Sequence, residues 1–499
     1  MATMLSPGFD AAALVARLSV IPRGITADSR SVRVGDVFAA YRGQAADGRA
    51  FIDEAIARGA YAVVWDAFGF RWNPAWEVAN VAVNDLKTKL GAIADLVYGS
   101  PSKSLWVAGV TGTNGKTSCA HWIAQCLDRC GRRAGIIGTL GNGLVGGLEA
   151  TTHTTPDAAL VHATLAKMRD RGAVAVAMEV SSHALDQGRV NAVEFDAALF
   201  TNLTRDHLDY HGTMSAYGTA KARLFAWPGL GLRVINVDDP FGQSLAEAAR
   251  GRRQDVLTYG LVNADIVPTR IAITQTGIDM TIATPWGSGE VATTVSGTFN
   301  ASNVLGVLGM VVGSGIALDA ALDALYHINA PPGRMQSLGG GFEPLVVIDY
   351  AHTPDALEKV LTALRPTVVE GGELISVFGC GGDRDAGKRP DMGRIAATLA
   401  DRVVVTSDNP RGEDPGAIAE GVVRGIRDVG RSQWSLELDR SAAIHQAIAS
   451  ARGGDVVLVA GKGHEDYQER GGVRTHFSDA EVASDALAAW KERMGASGA

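Results

Sequence analysis

Leu105-Trp106-Val107-Ala108-Gly109-Val110-Thr111-Gly112-Thr113-Asn114-Gly115-Lys116-Thr117 joins an apolar run to a glycine-rich turn ending in a lysine and a hydroxyl. A segment with helical character, 118–130, follows. The order predicts a buried strand at 105–110, a phosphate-binding loop and a helix. Glycines let successive backbone N–H groups turn toward a polyphosphate, and the helix start adds partial positive charge. Lys116 can neutralise terminal phosphates and Thr117 can ligate Mg2+. The spacing departs from the common phosphate loop, since Val110 stands five before Gly115 and the earlier glycines are at 109 and 112. A generic glycine turn is the competing reading, and strand, loop, Lys-Thr and helix in the required order weigh against it.

Outward from this loop the pattern repeats. Apolar runs at 173–180, 197–200 and 233–237 each lead into a polar turn and then a helical segment, which predicts a parallel sheet with crossover helices. Residues 260–296 alternate Thr, Ile and Val with period two, which predicts antiparallel hairpins added to this segment. Pro331-Pro332-Gly333 reads as a linker, and a second strand-helix series follows with strands at 345–348, 374–378, 402–406 and 455–459. Before residue 98 stand an amphipathic stretch at 11–18, a loop-rich stretch at 25–48 and a helix-strand pattern at 52–65. With 499 residues the chain has room for about three domains. The expectation is an α/β protein: a smaller N-terminal α/β domain (1–98), a central domain around a P-loop-type, mostly parallel sheet (99–330), and a C-terminal Rossmann-like domain (331–499).

Composition narrows the function. Acidic residues number 54 against 46 basic ones, a net charge of -8. That argues against nucleic-acid binding, which wants a basic face. No basic leader opens the chain, and the most lipid-like stretch, 304–318, is glycine-rich and too short for a span. A cytoplasmic location is expected. Four cysteines in so long a chain make no disulfide framework, and Cys126 and Cys130 lack the spacing of a metal knuckle.

Polar clusters follow the predicted strands at 112–117, 179–183, 202–209, 349–354, 379–389, 408–415 and 461–466. Open α/β sheets bind ligands at the carboxyl ends of their strands, so two facing sites are expected. Glu179 ends a buried strand, where a charge is costly unless it meets a cation, and a metal is the natural partner. His207 is a second candidate ligand. From spacing alone Lys221 reads as an ordinary solvated lysine.

Seven motifs then occur in the order seen in Mur ligases: Gly112-Thr113-Asn114-Gly115-Lys116-Thr117, Glu179-Val180-Ser181-Ser182-His183, Asp206-His207-Leu208-Asp209, Ala220-Lys221, Gly297-Thr298-Phe299-Asn300, Gly333-Arg334-Met335 and Asp349-Tyr350-Ala351-His352-Thr353-Pro354. The resemblance covers essentially the whole chain and implies an ATP-dependent ligase with Lys116, Glu179, His207 and Lys221 at the catalytic centre. It places ATP on Gly112 to Ser118, with Asn300, Arg334 and Asp349 reaching the nucleotide. It assigns Mg2+ to Thr117, Glu179, His207 and Lys221, the last as a carbamate (N6-carboxylysine). The tripeptide-forming branch is similar at Asp28-Ser29-Arg30 and Gly43-Gln44, which implies a UDP-precursor site of Ser29, Gln44, Thr154, Thr155, Ser182, Gln187 and Arg189.

The segment Asp408-Asn409-Pro410-Arg411-Gly412 resembles the family's amino-acid loop in the form that takes meso-diaminopimelate. Diaminopimelate carries a carboxylate and an amine at its far end, where lysine has only an amine. Arg411 can grip that carboxylate in a bidentate fork while Asp408 and Asn409 take the ammonium. Arg384, Pro410, Gly461 and Glu465 complete the implied pocket. The implied acyl donor is UDP-MurNAc-L-Ala-D-Glu, and a monomer is expected. Two rivals stand beside this reading, a folylpolyglutamate-type ligase and a non-catalytic P-loop nucleotide switch.

Overall fold

Gly109 and Val110 lie flat in the middle of an eight-stranded sheet because the strand Trp106–Thr111 has neighbours on both edges. The structure, a computed structural model, describes residues 9–18, 21–43, 46–430 and 433–497, so Gln44 lies outside the described residues. The strand order is Val256–Tyr259, Leu232–Asn236, Ala197–Phe200, Trp106–Thr111, Ala175–Glu179, Ala134–Gly138, Gly141–Leu144, Gly147–Glu149. The first six are parallel and the last two antiparallel. Each central strand is buried on both faces, as parallel sheets covered by helices require. The helix after the loop runs Lys116–Arg129, starting two residues earlier than the periodicity suggested, since Gly115 takes a left-handed φ of 85° and turns the chain directly into it.

The chain divides into two compact units. The first contains this sheet and a four-stranded parallel sheet, Gly24–Thr26, Asp36–Ala40, Ala62–Asp66 and Ala79–Val83. The second contains a six-stranded sheet in the order Gln336–Gly339, Leu345–Asp349, Val456–Ala460, Leu374–Phe378, Arg402–Val405, Gln433–Leu436, antiparallel only at its first strand. Most of the antiparallel sheet Val267–Thr274, Gly277–Thr284, Gly287–Thr293 falls in this second unit. Gln275 Nε2 donates to Gly454 O there at 2.9 Å. The mostly parallel α/β architecture expected from the sequence is present.

One buried ion pair organises the carboxyl ends of the second unit's strands. Arg440 and Asp479 are both inaccessible, and the guanidinium donates to both carboxylate oxygens at 2.7 and 2.8 Å. Its remaining N–H groups reach Ser407 O at 3.1 Å and Ala460 O at 2.9 Å. Two strand ends are thereby tied to one cation. Removing one partner of such a pair strands the other charge in a low dielectric, so Asp479→Ala should cost about 3–5 kcal/mol, read as a shift of the denaturant midpoint. An unchanged midpoint would show that the pair contributes little.

Candidate active site

The phosphate loop is held from the neighbouring strand end. Thr113 N donates to Asn202 O at 2.8 Å and Asn114 N to Asn202 Oδ1 at 3.0 Å. Thr201 Oγ1 and Asn202 Nδ2 both donate to Asn114 O, at 2.6 and 3.1 Å. Gly112 has φ 155°, and a methyl group there would collide with Thr201 Oγ1, so glycine is required for the close approach. Lys116 Nζ lies across the loop, donating to Gly112 O at 3.0 Å and Thr113 O at 2.8 Å. Ser118 is buried in the first turn of the following helix.

Thr117 Oγ1 donates to Glu179 Oε2 at 2.9 Å. Glu179 also accepts from Thr139 N at 2.7 Å and Thr139 Oγ1 at 3.3 Å. Three hydrogen-bond donors thus meet this buried carboxylate and offset the burial of its charge. Thr139 escaped the sequence reading although it follows directly after the strand Ala134–Gly138, where the strand-end rule would have found it. Thr139 Oγ1 continues to Thr154 Oγ1 at 3.0 Å, and Thr155 Oγ1 donates to Glu179 O at 2.7 Å. Thr154 and Thr155 thus sit beside the loop's hydroxyl-carboxylate pair.

Lys221 overturns its spacing-based reading. It is 1% exposed on the helix Met214–Phe225, donates from Nζ to Gly112 O at 2.7 Å and lies 4.4 Å over the Tyr217 ring. Burial, with the nearby Lys116 charge, holds its amine well below the usual lysine range. The folded state therefore binds fewer protons than the unfolded chain between the two values, and stability rises with pH over that interval. In CO2-free buffer Lys221→Met should raise the melting temperature near neutrality, and the gain should vanish as pH passes the unfolded lysine value, about 10.4. A gain independent of pH would sink the assignment of a depressed amine.

His207, at φ 52°, is half-exposed, with its ring 4.8 Å from His183 and 6.0 Å from Tyr217. His183 is pushed down to about 4 by burial and by the neighbouring His207 and His211. His211 Nε2 and Ser182 Oγ are 2.9 Å apart. Among the described residues no group of three or more His, Cys, Asp or Glu is placed to hold a metal. The donor set nevertheless suits Mg2+, which takes few protein oxygens and completes its shell with water and phosphates. Thr117 Oγ1 and Glu179 Oε2 supply two adjacent oxygens.

A cavity of about 350 Å³ in the first unit is lined by residues including Tyr41, Lys87, His153, Asp157, Gln187 and Arg189. Arg189 donates to Thr155 O at 2.8 Å and grips Gln187 Oε1 at 3.0 and 2.8 Å. Gln187, Arg189 and Thr155 are thus brought together. Ser29 does not line the cavity; its buried hydroxyl donates to Glu54 Oε2 at 2.8 Å. Tyr41 and Lys87 were not singled out from sequence, since nothing about an isolated tyrosine or a helical lysine distinguishes them.

In the second unit Asp349 is buried at its strand end and accepts from Met335 N at 2.8 Å and Ala351 N at 2.9 Å. Burial raises its carboxyl, opposed by the Arg334 charge. Arg334 stacks 4.9 Å over Tyr350. Asn300 is buried, donating to Ser296 O at 2.7 Å and accepting from Asn303 Nδ2 at 3.0 Å.

The loop after Arg402–Val405 interlocks with the 382–384 turn. Gly382 N donates to Asn409 O at 2.9 Å, Gly412 N to Asp383 Oδ2 at 2.9 Å, and Arg411 Nη1 to Gly382 O at 2.9 Å. Arg411 and Asp383 each sit at φ 52°, a strained choice for a residue with a Cβ, and these cross-loop bonds hold them there. Asp408, Asn409 and Pro410 are buried, Arg411 and Glu465 half-buried, and Arg384 exposed. Asn409 Nδ2 donates to Glu465 Oε2 at 2.8 Å. Gly461 faces the Asp408 carboxylate.

Residues 22–98 match the family described as "Mur ligase family, catalytic domain", residues 110–311 the "Mur ligase middle domain", and residues 333–463 the "Mur ligase, glutamate ligase domain". The chain is 54% identical over 482 residues to a UDP-N-acetylmuramoyl-L-alanyl-D-glutamate--2,6-diaminopimelate ligase of Chromobacterium violaceum, covering 96% of this chain and 97% of that one. It is 52% identical over 480 residues to the protein of the same name in Pseudomonas aeruginosa, covering 95% and 97%. A solved structure of a ligase with that name superimposes with a TM-score of 0.70 at 37% identity, over 94% of this chain and 95% of the other. A folylpolyglutamate synthase of Mycobacterium tuberculosis shares the fold at 20% identity and TM-score 0.60, over 76% of this chain and 92% of its own. Matched in three successive segments and identical at about half its positions to full-length relatives, the chain belongs to the Mur ligase family.

Proposed function

We propose that the chain is the ATP-dependent ligase that adds meso-diaminopimelate to the D-Glu carboxylate of UDP-MurNAc-L-Ala-D-Glu in peptidoglycan precursor synthesis. The carrying observation is Arg411, half-buried and fixed by the 382–384 turn, on the loop whose Asn409 is hydrogen-bonded to Glu465. A guanidinium and a carboxylate supplied by one cluster of loops match the carboxylate and ammonium of the diaminopimelate far end. Full-length relatives at about half identity carry the name of this activity.

In this reading ATP phosphorylates the D-Glu carboxylate, giving an acyl phosphate and ADP; an amine of diaminopimelate attacks the acyl carbon, and phosphate leaves. Lys116 meets the terminal phosphates, and the loop Gly112 to Ser118 surrounds them with its N–H groups other than those of Thr113 and Asn114, which Asn202 holds. Charge spreads over the transferring phosphoryl group, so these residues act by positioning and electrostatic stabilisation. Asn300, Arg334 and Asp349 take the nucleoside end of ATP. Mg2+ would be held by Thr117 and Glu179, with His207 and the Lys221 carbamate, and would offset phosphate charge. A neutral amine is the form that reacts with CO2, and Lys221 is buried in surroundings that favour it. The 350 Å³ cavity with Gln187 and Arg189 takes part of the UDP-linked precursor, with Thr154, Thr155 and Ser182 toward the reacting carboxylate. Segments 1–98, 99–330 and 331–499 would serve precursor, ATP and amino acid in turn. The enzyme is proposed to work as a monomer in the cytoplasm; among the described residues no helix is long and apolar enough to cross a membrane.

The deciding experiment is phosphate release from ATP with the UDP-dipeptide and diaminopimelate, lysine or glutamate in turn. Release that needs both precursor and diaminopimelate supports the reading, while release with glutamate on a folate acceptor, or with no amino acid at all, would replace it. Carbamylation has its own readout: activity should fall in CO2-depleted buffer and return with bicarbonate, and indifference to both would count against it.

A further inference from the structure

A second cation stands behind the amino-acid loop and has no part in the mechanism above. Lys462 is 0% exposed. Its Nζ donates to Asn409 Oδ1 and to Glu465 Oε2, each at 3.2 Å, and lies 3.8 Å from Asp408 Oδ1. The Tyr467 ring is 5.4 Å away. That Asp408 oxygen is buried and has no hydrogen-bond partner among the described residues; Arg440, already paired with Asp479, and Lys462 are the cations whose charge reaches it.

The hydrogen bonds decide what is left for a ligand. Asn409 Oδ1 is taken by Lys462 Nζ and by Glu469 N at 2.9 Å, and Asn409 Nδ2 is spent on Glu465 Oε2. Glu465 Oε2 therefore receives two protein donors, and Oε1 is the oxygen left to meet an incoming ammonium. The charges balance in the same way. Arg389 is matched by Glu413 and Arg440 by Asp479. With Glu469 matched by Arg474 and Arg384 exposed to screening solvent, Arg411 and Lys462 stand against Asp408 and Glu465, a neutral set. A neutral pocket suits a far end that is itself neutral overall, carrying one ammonium and one carboxylate; a bare ammonium would leave it with an uncompensated positive charge.

We propose that Lys462 is a specificity-determining residue, whose fixed buried charge makes the pocket accept an amino acid with a zwitterionic far end and reject one that ends in an ammonium alone. The proposal rests on the diaminopimelate reading. Lys462 acts through Glu465 and Asn409 and by charge, so it is a positioning residue.

The test compares wild type, Lys462→Met and Lys462→Arg, with ATP and precursor saturating and meso-diaminopimelate or L-lysine varied. A unit charge several ångströms from the ligand at an effective dielectric near 20 corresponds to roughly a ten- to hundredfold effect. Lys462→Met should therefore lower the ratio of kcat/KM for diaminopimelate over lysine by at least about tenfold, through the amino-acid KM values. The KM for ATP should stay within about twofold, and Lys462→Arg should keep the wild-type ratio. An equal loss for both amino acids, or Lys462→Arg behaving like Lys462→Met, would overturn the proposal. Should Lys462→Met fail to melt cooperatively, Lys462→Gln carries the same comparison, and failure of both to fold would assign Lys462 to stability alone. Wild type is measured first: if it turns over no diaminopimelate, the parent reading falls, an outcome distinct from an unchanged ratio in the variants.

Discussion

Lys116→Ala removes turnover with every amino acid, lowering kcat/KM by a factor on the order of 10³ or more, the scale of losing a key electrostatic contact to transition-state charge. The lysine crosses its own loop and donates to Gly112 O and Thr113 O, so its ammonium is held where the loop's backbone turns. Fold stability should barely change, because the loop is fastened independently by Thr201 and Asn202. Phosphate release measured beside a melting curve separates the two effects. Retained activity in a normally melting variant would remove the phosphate-loop assignment, and with it the ATP site.

Arg411→Ala has the second largest expected effect. Truncating one partner of a desolvated, hydrogen-bonded charge pair costs 2–5 kcal/mol or so, which is roughly 30- to several-thousandfold in affinity. The diaminopimelate KM should rise accordingly while the KM for ATP stays within about twofold. Arg411→Lys should rescue little, since a point charge cannot reproduce the bidentate fork. Arg411 also sits at φ 52°, so Arg411→Gly separates backbone from side chain. It should fold at least as stably as Arg411→Ala, because glycine accepts the left-handed conformation, yet lose diaminopimelate equally. A variant that loses ATP binding together with diaminopimelate would show that the guanidinium serves the fold of the loop and not the substrate.

The parts of this protein that were legible in sequence are those whose chemistry is local. A strand, a glycine turn, Lys-Thr and a helix need only be adjacent, and Trp106–Thr111 followed by Lys116–Arg129 appeared in the order read, with bounds shifted by one or two residues. The strands Ala197–Phe200 and Leu374–Phe378 matched to the residue because each is a short apolar run closed by a polar break. The strands Gly141–Leu144 and Gly147–Glu149, at the antiparallel end of the sheet, were missed, since glycine masks the alternation that marks a strand. Lys221 is the instructive error. Tyr217, Leu224 and Phe225 share its buried face at helical spacing, so the stripe was visible, but a lysine inside it was taken for solvent-facing. At Glu179 the burial of a charge was legible, while the hydrogen bonds that meet it, from Thr117 and Thr139, join positions distant in sequence.

The Arg440–Asp479 pair has a consequence for how the chain is made. Every residue of the amino-acid pocket precedes Asp479 in order of synthesis, yet the carbonyls of Ser407 and Ala460 are gathered by a guanidinium whose bidentate partner is Asp479. A nascent chain halted before that aspartate would carry a buried guanidinium without its bidentate partner at the heart of its last sheet. Premature stops there should yield degradation targets and not weakened enzymes, so dosage, more than catalysis, is what such alleles would lose.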